Sequence, residues 1–305
     1  MAGIDRANLN RERSAASDAV TRMEVRHIWL VTNTASGSNE EEALSALRRL
    51  LADAGFAISR ETAFPEEDAP SPGDLARENI GLLAIYAGDG TINSVVTGLD
   101  GWSGSVLVLP GGTMNLLYHR LHGNREMADV IAEVAGGRTV SVRPTTARTS
   151  AGDALAGLLA GPGTRWGEVR EALRAADMLA TADQAAEALA ETANGAPVAC
   201  REPPLGLEEG YPLLAIDPTE AGLRLTAYHA DTPGEYLSQA WAMLRRNFRE
   251  GPHDDLGLAQ RLVIESQDGE PVELLIDGEP AAGGAPEQVV LARCGVDLLA
   301  TDYAE

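Results

Sequence analysis

Residues 86–93 read YAGDGTIN, and two different patterns meet there. The run before them, residues 81–87 (GLLAIYA), is short, apolar and unbroken, which predicts a buried strand. The residues after them, 91–99 (TINSVVTGL), predict a helix. Strand, glycine turn and helix in that order form the repeating unit of a parallel α/β sheet. A tight turn explains Gly88 and Gly90, and an Asx-type cap would explain an acid. Taken alone, the stretch is read equally well as such a turn or as a ligand loop. A turn has no need of an acid between two glycines followed by the hydroxyl of Thr91.

The neighbouring segments shift that balance. Residues 104–110 (GSVLVLP) predict another strand, and Gly111-Gly112-Thr113-Met114-Asn115 follows it and opens the helix TMNLLYHRLHG. Both loops place Asn two residues after Thr: Thr91 and Asn93 in the first, Thr113 and Asn115 in the second. Ligands of open α/β sheets bind at the carboxyl ends of strands. Glycine lets the backbone come close to a ligand, and a helix N-terminus offers N–H groups to an anion. Two such loops side by side would cradle a phosphate chain. Upstream, HIWLVTN (residues 27–33) predicts the first strand, and Asn33, Ser36 and Gly37 fall at its carboxyl end. By itself that third loop reads as a helix-capping loop.

The rest of the first half keeps the alternation. In SNEEEALSALRRLLADAG, Ser38 and Glu41 fit a capping box, and Leu44, Leu47, Leu51 and Ala54 mark one face. Gly55 suits the residue just past the helix end. FAISRETAF predicts a strand, REMADVIAEVAGG a helix and RTVSVR a strand. Beyond Pro144 the pattern changes. Ala- and Leu-rich helices are expected from Trp166 to Leu189, with a break near Thr181, and one more over PGEYLSQAWAMLRRNFREG. Otherwise strand-like runs follow one another at hairpin spacing: YPLLAI, LRLTAYHA, RLVIES, VELLIDG, QVVLARC and VDLLAT. The expected organisation is an α/β domain over 24–143 with a parallel sheet, then a β-rich domain over 144–305 built as an antiparallel sheet or sandwich with helices.

Composition narrows the function. The chain has 305 residues and a formal charge of −22. That charge argues against nucleic acid, whose backbone must be met by cations. All 24 basic residues are Arg, so no lysine is available to a phosphate. Backbone N–H groups, Arg or a metal must serve instead. Cys200 and Cys294 stand far apart and read as free thiols in a reducing compartment. No stretch approaches the roughly 20 apolar residues of a membrane-spanning helix, and the polar N-terminus lacks the apolar core of a secretory signal. A cytoplasmic protein is expected, not an integral membrane one, with self-association into a homo-oligomer left open. His119, His122 and His229 lack metal-ligand spacing. Arg245, Arg246 and Arg249, beside Trp241, Leu244 and Phe248, read as an ordinary amphipathic helix, with a membrane-facing patch as the alternative.

Three motifs in order carry a resemblance: Asn33-Thr34-Ala35-Ser36-Gly37, then Gly88-Asp89-Gly90-Thr91-Ile92-Asn93, then Leu109-Pro110-Gly111-Gly112-Thr113-Met114-Asn115. They resemble the NPxSG, GGDGTxNEVxNGL and LPxGTxNDFA loops of the diacylglycerol kinase family, which includes sphingosine kinases and bacterial lipid kinases. LLIDGEPAAGG (residues 274–284) is similar to that family's DGE strand. The resemblance covers residues 27–142 closely and 145–255 weakly. It implies an N-terminal domain related to NAD kinases, a β-rich second domain, and ATP with Mg²⁺ between them. It implies that Asn33, Ser36, Gly37, Gly88, Gly90, Thr91, Gly112, Thr113 and Asn115 contact the nucleotide. Asp89 is implied beside the phosphates and the metal, and Glu279 as base toward a lipid hydroxyl at a membrane surface. On residues alone, Asp277-Gly278-Glu279 is a plain hairpin turn. The chain departs from the family at Ala87 for Gly, Ser94 for Glu and Leu116 for Asp. The family's Asp at 116 helps organise phosphates and Mg²⁺. Two other readings stay open: a NAD kinase-like or other small-molecule kinase, and a nucleotide- or lipid-binding pseudokinase.

Overall fold

The computed structural model describes residues 26–33, 39–162, 195–228 and 253–303. Ser36, Gly37, His229, the helices expected from Trp166 to Leu189, and the one bearing Arg245, Arg246 and Arg249 lie outside these residues.

The first half runs β1 (Arg26–Thr32), α1 (Asn39–Asp53), β2 (Phe56–Ala63), α2 (Pro72–Arg77), β3 (Leu82–Ala87), α3 (Asp89–Gly98), β4 (Ser105–Pro110), α4 (Leu116–His122), α5 (Met127–Ala135) and β5 (Val140–Val142). The unbroken apolar runs of β1, β3 and β4 are buried along most of their length, as strands covered on both faces must be. Helix α1 buries Leu44, Leu47 and Leu51 at helical spacing. It ends as expected: Gly55 takes φ 87°, a left-handed conformation that glycine adopts without strain.

Strands β2, β1, β3 and β4 pair in that order, all parallel. The chain therefore leaves β1 toward β2 on one side and toward β3 on the other. The order reverses between β1 and β3, and ligands of open α/β sheets bind at the carboxyl ends of strands at such a point. Beyond β4, the sheet is extended by β17 (Asp297–Ala300), parallel to β4, and by β5, antiparallel to β17. One of the last strands of the chain thus lies in its first sheet.

The second half supplies β6 (Thr145–Thr149), β7 (Gly152–Ala154), β8 (Leu158–Ala160), β9 (Val198–Glu202), β10 (Leu213–Thr219), β11 (Gly222–Tyr228), β12 (His253–Ala259), β13 (Arg261–Ser266), β14 (Glu273–Ile276), β15 (Glu279–Ala282) and β16 (Glu287–Arg293). One sheet has the order β12-β11-β10-β8-β14-β15 and the other β7-β6-β16-β13-β9, with antiparallel neighbours throughout. Leu158, Leu214, Leu225 and Leu274 from the first share one core with Ala147, Val198, Leu262 and Val289 from the second. Two sheets over a common apolar layer make a sandwich. The short strands β6, β7 and β8 went unread in the sequence, because Thr-, Gly- and Ala-rich segments of three to five residues carry almost no periodicity.

Candidate active site

The reversal point of the first sheet holds the glycine loops. Asn33 directly follows β1, and its Nδ2 donates to Thr91 Oγ1 at 2.7 Å, tying the first crossover to α3. Gly88 is the N-cap of α3 in an extended conformation and, as a glycine, makes no side-chain cap of its own. The next loop is locked by its own asparagine. Gly112 N–H donates to Asn115 Oδ1 at 2.8 Å, and Asn115 Nδ2 donates back to the Gly112 carbonyl at 2.9 Å. Asn115 takes φ 52°, which asparagine tolerates better than most residues.

The two loops touch backbone to backbone. A Cβ on Gly112 would lie 2.7 Å from Gly88 Cα, and one on Gly111 would lie 2.6 Å from Ala87 N. Gly111 carried no role in the sequence reading. The structure gives it one: no side chain fits between it and the end of β3.

Asp89 faces away from its own turn. Its Oδ1 accepts from Leu117 N–H at 3.4 Å, so it sits at the N-terminus of α4, whose N-cap Asn115 makes no side-chain bond to that helix. One loop's acid thus caps the other loop's helix. Burial pushes the Asp89 carboxyl up to about 6, the neighbouring Asp277 charge adds to this, and the α4 N–H groups oppose it.

Asp277 and Gly278 form the two-residue connection between β14 and β15, with φ values of 49° and 89°. Positive φ at both positions is the hairpin geometry that Asp-Gly favours. The plain-turn reading of the backbone is therefore correct, yet it misses the side chain. Asp277 is only 3% exposed. Its carboxylate accepts from Leu155 N–H at 2.8 Å, Ala156 N–H at 2.7 Å, Gly157 N–H at 3.0 Å and Asn93 Nδ2 at 2.7 Å. Burial raises its pKa and the four donors oppose that rise. Through Asn93 the hairpin is fastened to α3. The Asn in the first loop motif was the signal for this contact, but nothing in the sequence pointed to its partner.

That fastening brings Glu279 to the first glycine loop. A Cβ on Gly90 would meet Glu279 Cγ at 2.8 Å and Oε1 at 3.1 Å. Glu279 therefore lies over Gly90, next in the chain to Asp89. Met114 approaches the same hairpin, its Cε 3.7 Å from the position of a Gly278 Cβ. Asn33, Gly88, Asp89, Gly90, Thr91, Gly112, Thr113, Asn115 and Glu279 thus stand on four adjoining segments: the end of β1, the two glycine loops and the hairpin.

No group of three or more His, Cys, Asp or Glu side chains able to hold a metal occurs among the described residues. A cation here would rest on one or two carboxylates plus the ligand's own oxygens, which is how Mg²⁺ is held with nucleotide phosphates. Asp89, whose charge burial disfavours, fits that requirement. Leu116 occupies the first turn of α4 and adds no charge. His119 and His122 bond to oxygens of the protein itself. His119 Nδ1 lies 2.9 Å from the Gly123 carbonyl oxygen, and His122, fully buried, has Nδ1 3.0 Å from Thr301 Oγ1. Burial pushes His122 down to about 4.

A model of the diacylglycerol kinase catalytic domain matches residues 27–147, the span that holds both complete glycine loops. Over these residues the chain is similar to that family's catalytic domain. Solved structures extend the likeness past that catalytic domain. A diacylglycerol kinase from Bacillus anthracis str. Sterne superposes with a TM-score of 0.56 at 14% identity, covering 90% of this chain and 97% of that one. A provisionally assigned diacylglycerol kinase of the same organism gives 0.58 at 15%, covering 92% and 99%. At these identities the likeness is one of fold, and it includes the β-rich half. A search of curated proteins finds no match.

Proposed function

We propose that the protein is an ATP- and Mg²⁺-dependent lipid kinase that phosphorylates a hydroxyl of a diacylglycerol- or sphingoid-like lipid at a membrane surface. The observation that carries this reading is the placement of Glu279 over Gly90, beside Asp89 and the N-termini of α3 and α4. Phosphoryl transfer asks little covalent chemistry of a protein. It needs positioned phosphates, offset charge and an acceptor for the hydroxyl proton.

The residues divide into those tasks. The first N–H groups of α3 and the Thr113 N–H donate to phosphate oxygens, since Gly111 N–H already donates to the Ala87 carbonyl and Gly112 N–H to Asn115 Oδ1. The Asn33–Thr91 bond and the Gly112–Asn115 clasp fix the backbones that carry them. Glu279 takes the proton as the lipid oxygen bonds to the γ-phosphorus and the bond from that phosphorus to the bridging oxygen breaks, releasing ADP. Mg²⁺ supplies neutralisation of phosphate charge, with Asp89 as its protein carboxylate. The domains, 24–143 for the nucleotide and 144–305 for the lipid side, then share one sheet, because β17 pairs with β4. Among the described residues no helix is long and apolar enough to cross a membrane.

Leu116 favours a second reading. With no acid there, a protein that binds nucleotide or lipid without turnover has a specific basis. Labelled ATP with Mg²⁺, offered with a lipid panel and separately with NAD, decides. Label transfer to a lipid supports the kinase reading. Transfer to NAD alone makes the protein a NAD kinase-like enzyme, and ATP binding without transfer makes it a pseudokinase.

A further inference from the structure

Arg120 lies on α4, outside all three glycine motifs, and its guanidinium is occupied. Nη1 donates to the Thr145 carbonyl at 2.8 Å and, by a shorter bond, to the Leu155 carbonyl. Nη2 donates to Thr145 Oγ1 at 3.0 Å and to the Pro218 carbonyl at 2.9 Å. All four acceptors are neutral oxygens. They come from three separate segments of the antiparallel half: β6, the β7–β8 connection and β10. The planar fork of arginine suits several acceptors held at fixed angles, which a lysine would not match.

The Leu155 bond matters most. The Leu155 carbonyl accepts from Arg120, while its N–H donates to Asp277. Asp277 in turn accepts from Asn93 on α3. Helix α3 begins at Asp89, which accepts from Leu117 N–H on α4, and α4 leads back to Arg120. These contacts close a ring through α3, the hairpin turn, the β7–β8 connection and α4. Asp89 and Glu279 both hang from it, the first directly and the second two residues beyond Asp277.

We propose that Arg120 is a positioning residue. By closing this ring it sets how closely the hairpin bearing Glu279 approaches the glycine loops. Its role in catalysis rests on the kinase reading above, whereas its role in the geometry does not. Polar networks of this kind hold a geometry when every member is satisfied and loosen when one is lost. A small displacement of reacting groups is enough to cost about 10²-fold in rate.

The test uses the full chain and the variant Arg120→Ala, with Arg120→Lys as the second variant should the first not melt cooperatively. Amide hydrogen exchange is followed in nucleotide-free protein, and steady-state transfer from ATP with Mg²⁺ to the lipid panel in parallel. The expected result is exchange faster by ~10-fold or more at the N–H groups of 155–157, which donate to Asp277 and not to Arg120. With it, kcat of the folded variant falls about 10²-fold while the KM for ATP changes little. A purely structural arginine would lower Tm and the active fraction but leave kcat per folded molecule and the 155–157 amides unchanged, and that result overturns the proposal. If wild type transfers phosphate to nothing, the kinase reading fails, and the exchange data alone decide whether the ring exists.

Discussion

The glycine loops of the parallel half and the Asp277–Glu279 hairpin of the antiparallel half meet at Gly90, but they are held in place by opposite means. The loops are positioned by what is missing. Gly111 and Gly112 let backbones approach to distances that any side chain would prevent. The hairpin is positioned by one buried carboxylate that gathers four donors from two elements distant in sequence. Close backbone approach is a local demand and leaves a local mark. A buried anchor is defined by its partners, and those of Asp277 lie at residues 93 and 155–157.

The comparison breaks most readily at Asp277. Asp277→Ala strands three backbone N–H groups and one amide in a buried site, which should cost about 3–5 kcal/mol. Asp277→Asn keeps one acceptor oxygen and tolerates the positive φ, so its loss should be roughly half as large. Urea unfolding of both variants measures this. Equal stability of Asp277→Ala and wild type would mean that the hairpin is held by something other than its anchor.

Asp89→Asn should separate function from stability. Removal of one preorganised charged group costs about 10²-fold or more in transfer rate. Stability should move the other way. The folded carboxyl is raised to about 6 from an ordinary 3.8. Stability linked to it is therefore full below pH 3.8 and lost as pH rises through 6. At pH 8 the ionised group costs the nucleotide-free protein about 2–3 kcal/mol, a figure already net of the opposing α4 N–H groups. The asparagine variant should accordingly melt at or above wild type at pH 8 and below it at pH 4. A lower Tm at pH 8 would make Asp89 chiefly a cap.

Gly90→Ala tests the contact between the two halves without altering either acid. Its Cβ would sit 2.8 Å from Glu279 Cγ, so the glutamate must swing aside. Transfer should fall about 10-fold or more through misplacement of the base, while stability changes by less than about 1 kcal/mol because only a side chain must move. Unchanged kcat would remove Glu279 from the proposed chemistry.

Much of this was legible in the sequence, for identifiable reasons. The parallel sheet followed from apolar runs broken by Gly-Thr turns, and α1 from its Leu44, Leu47 and Leu51 spacing together with Gly55. Glu279 was placed by resemblance, not by any pattern of its own. Arg120, Asn93 and Asp277 escaped because each acts on a partner far away in sequence. The acid at residue 89 was unexplained by its own turn because it serves another one: it caps α4, whose N-cap Asn115 is turned back toward Gly112.

The smallest expected effect is also the sharpest test of how the loops are packed, because it sets two glycines of one contact against each other. A Cβ on Gly112 would press on Gly88 Cα at 2.7 Å, where only backbone can yield. A Cβ on Gly88 would meet Gly112 Cα at 3.8 Å, an ordinary contact, and Gly88 has φ −77°, which alanine adopts without strain. Gly112→Ala should therefore cost about 1–3 kcal/mol through overpacking and weaken ATP binding as the loops part. Gly88→Ala should leave stability within about 0.5 kcal/mol and act on ATP only through whatever space its methyl takes from the ligand. Thermal melts with and without ATP distinguish the two. If both variants melt alike without nucleotide, the loops are not in backbone contact, and the glycines serve the ligand alone. If Gly88→Ala keeps its Tm yet loses the ATP-induced rise, the same residue is free of packing duty and close to the phosphates, which is the division of labour proposed for the two sides of this contact.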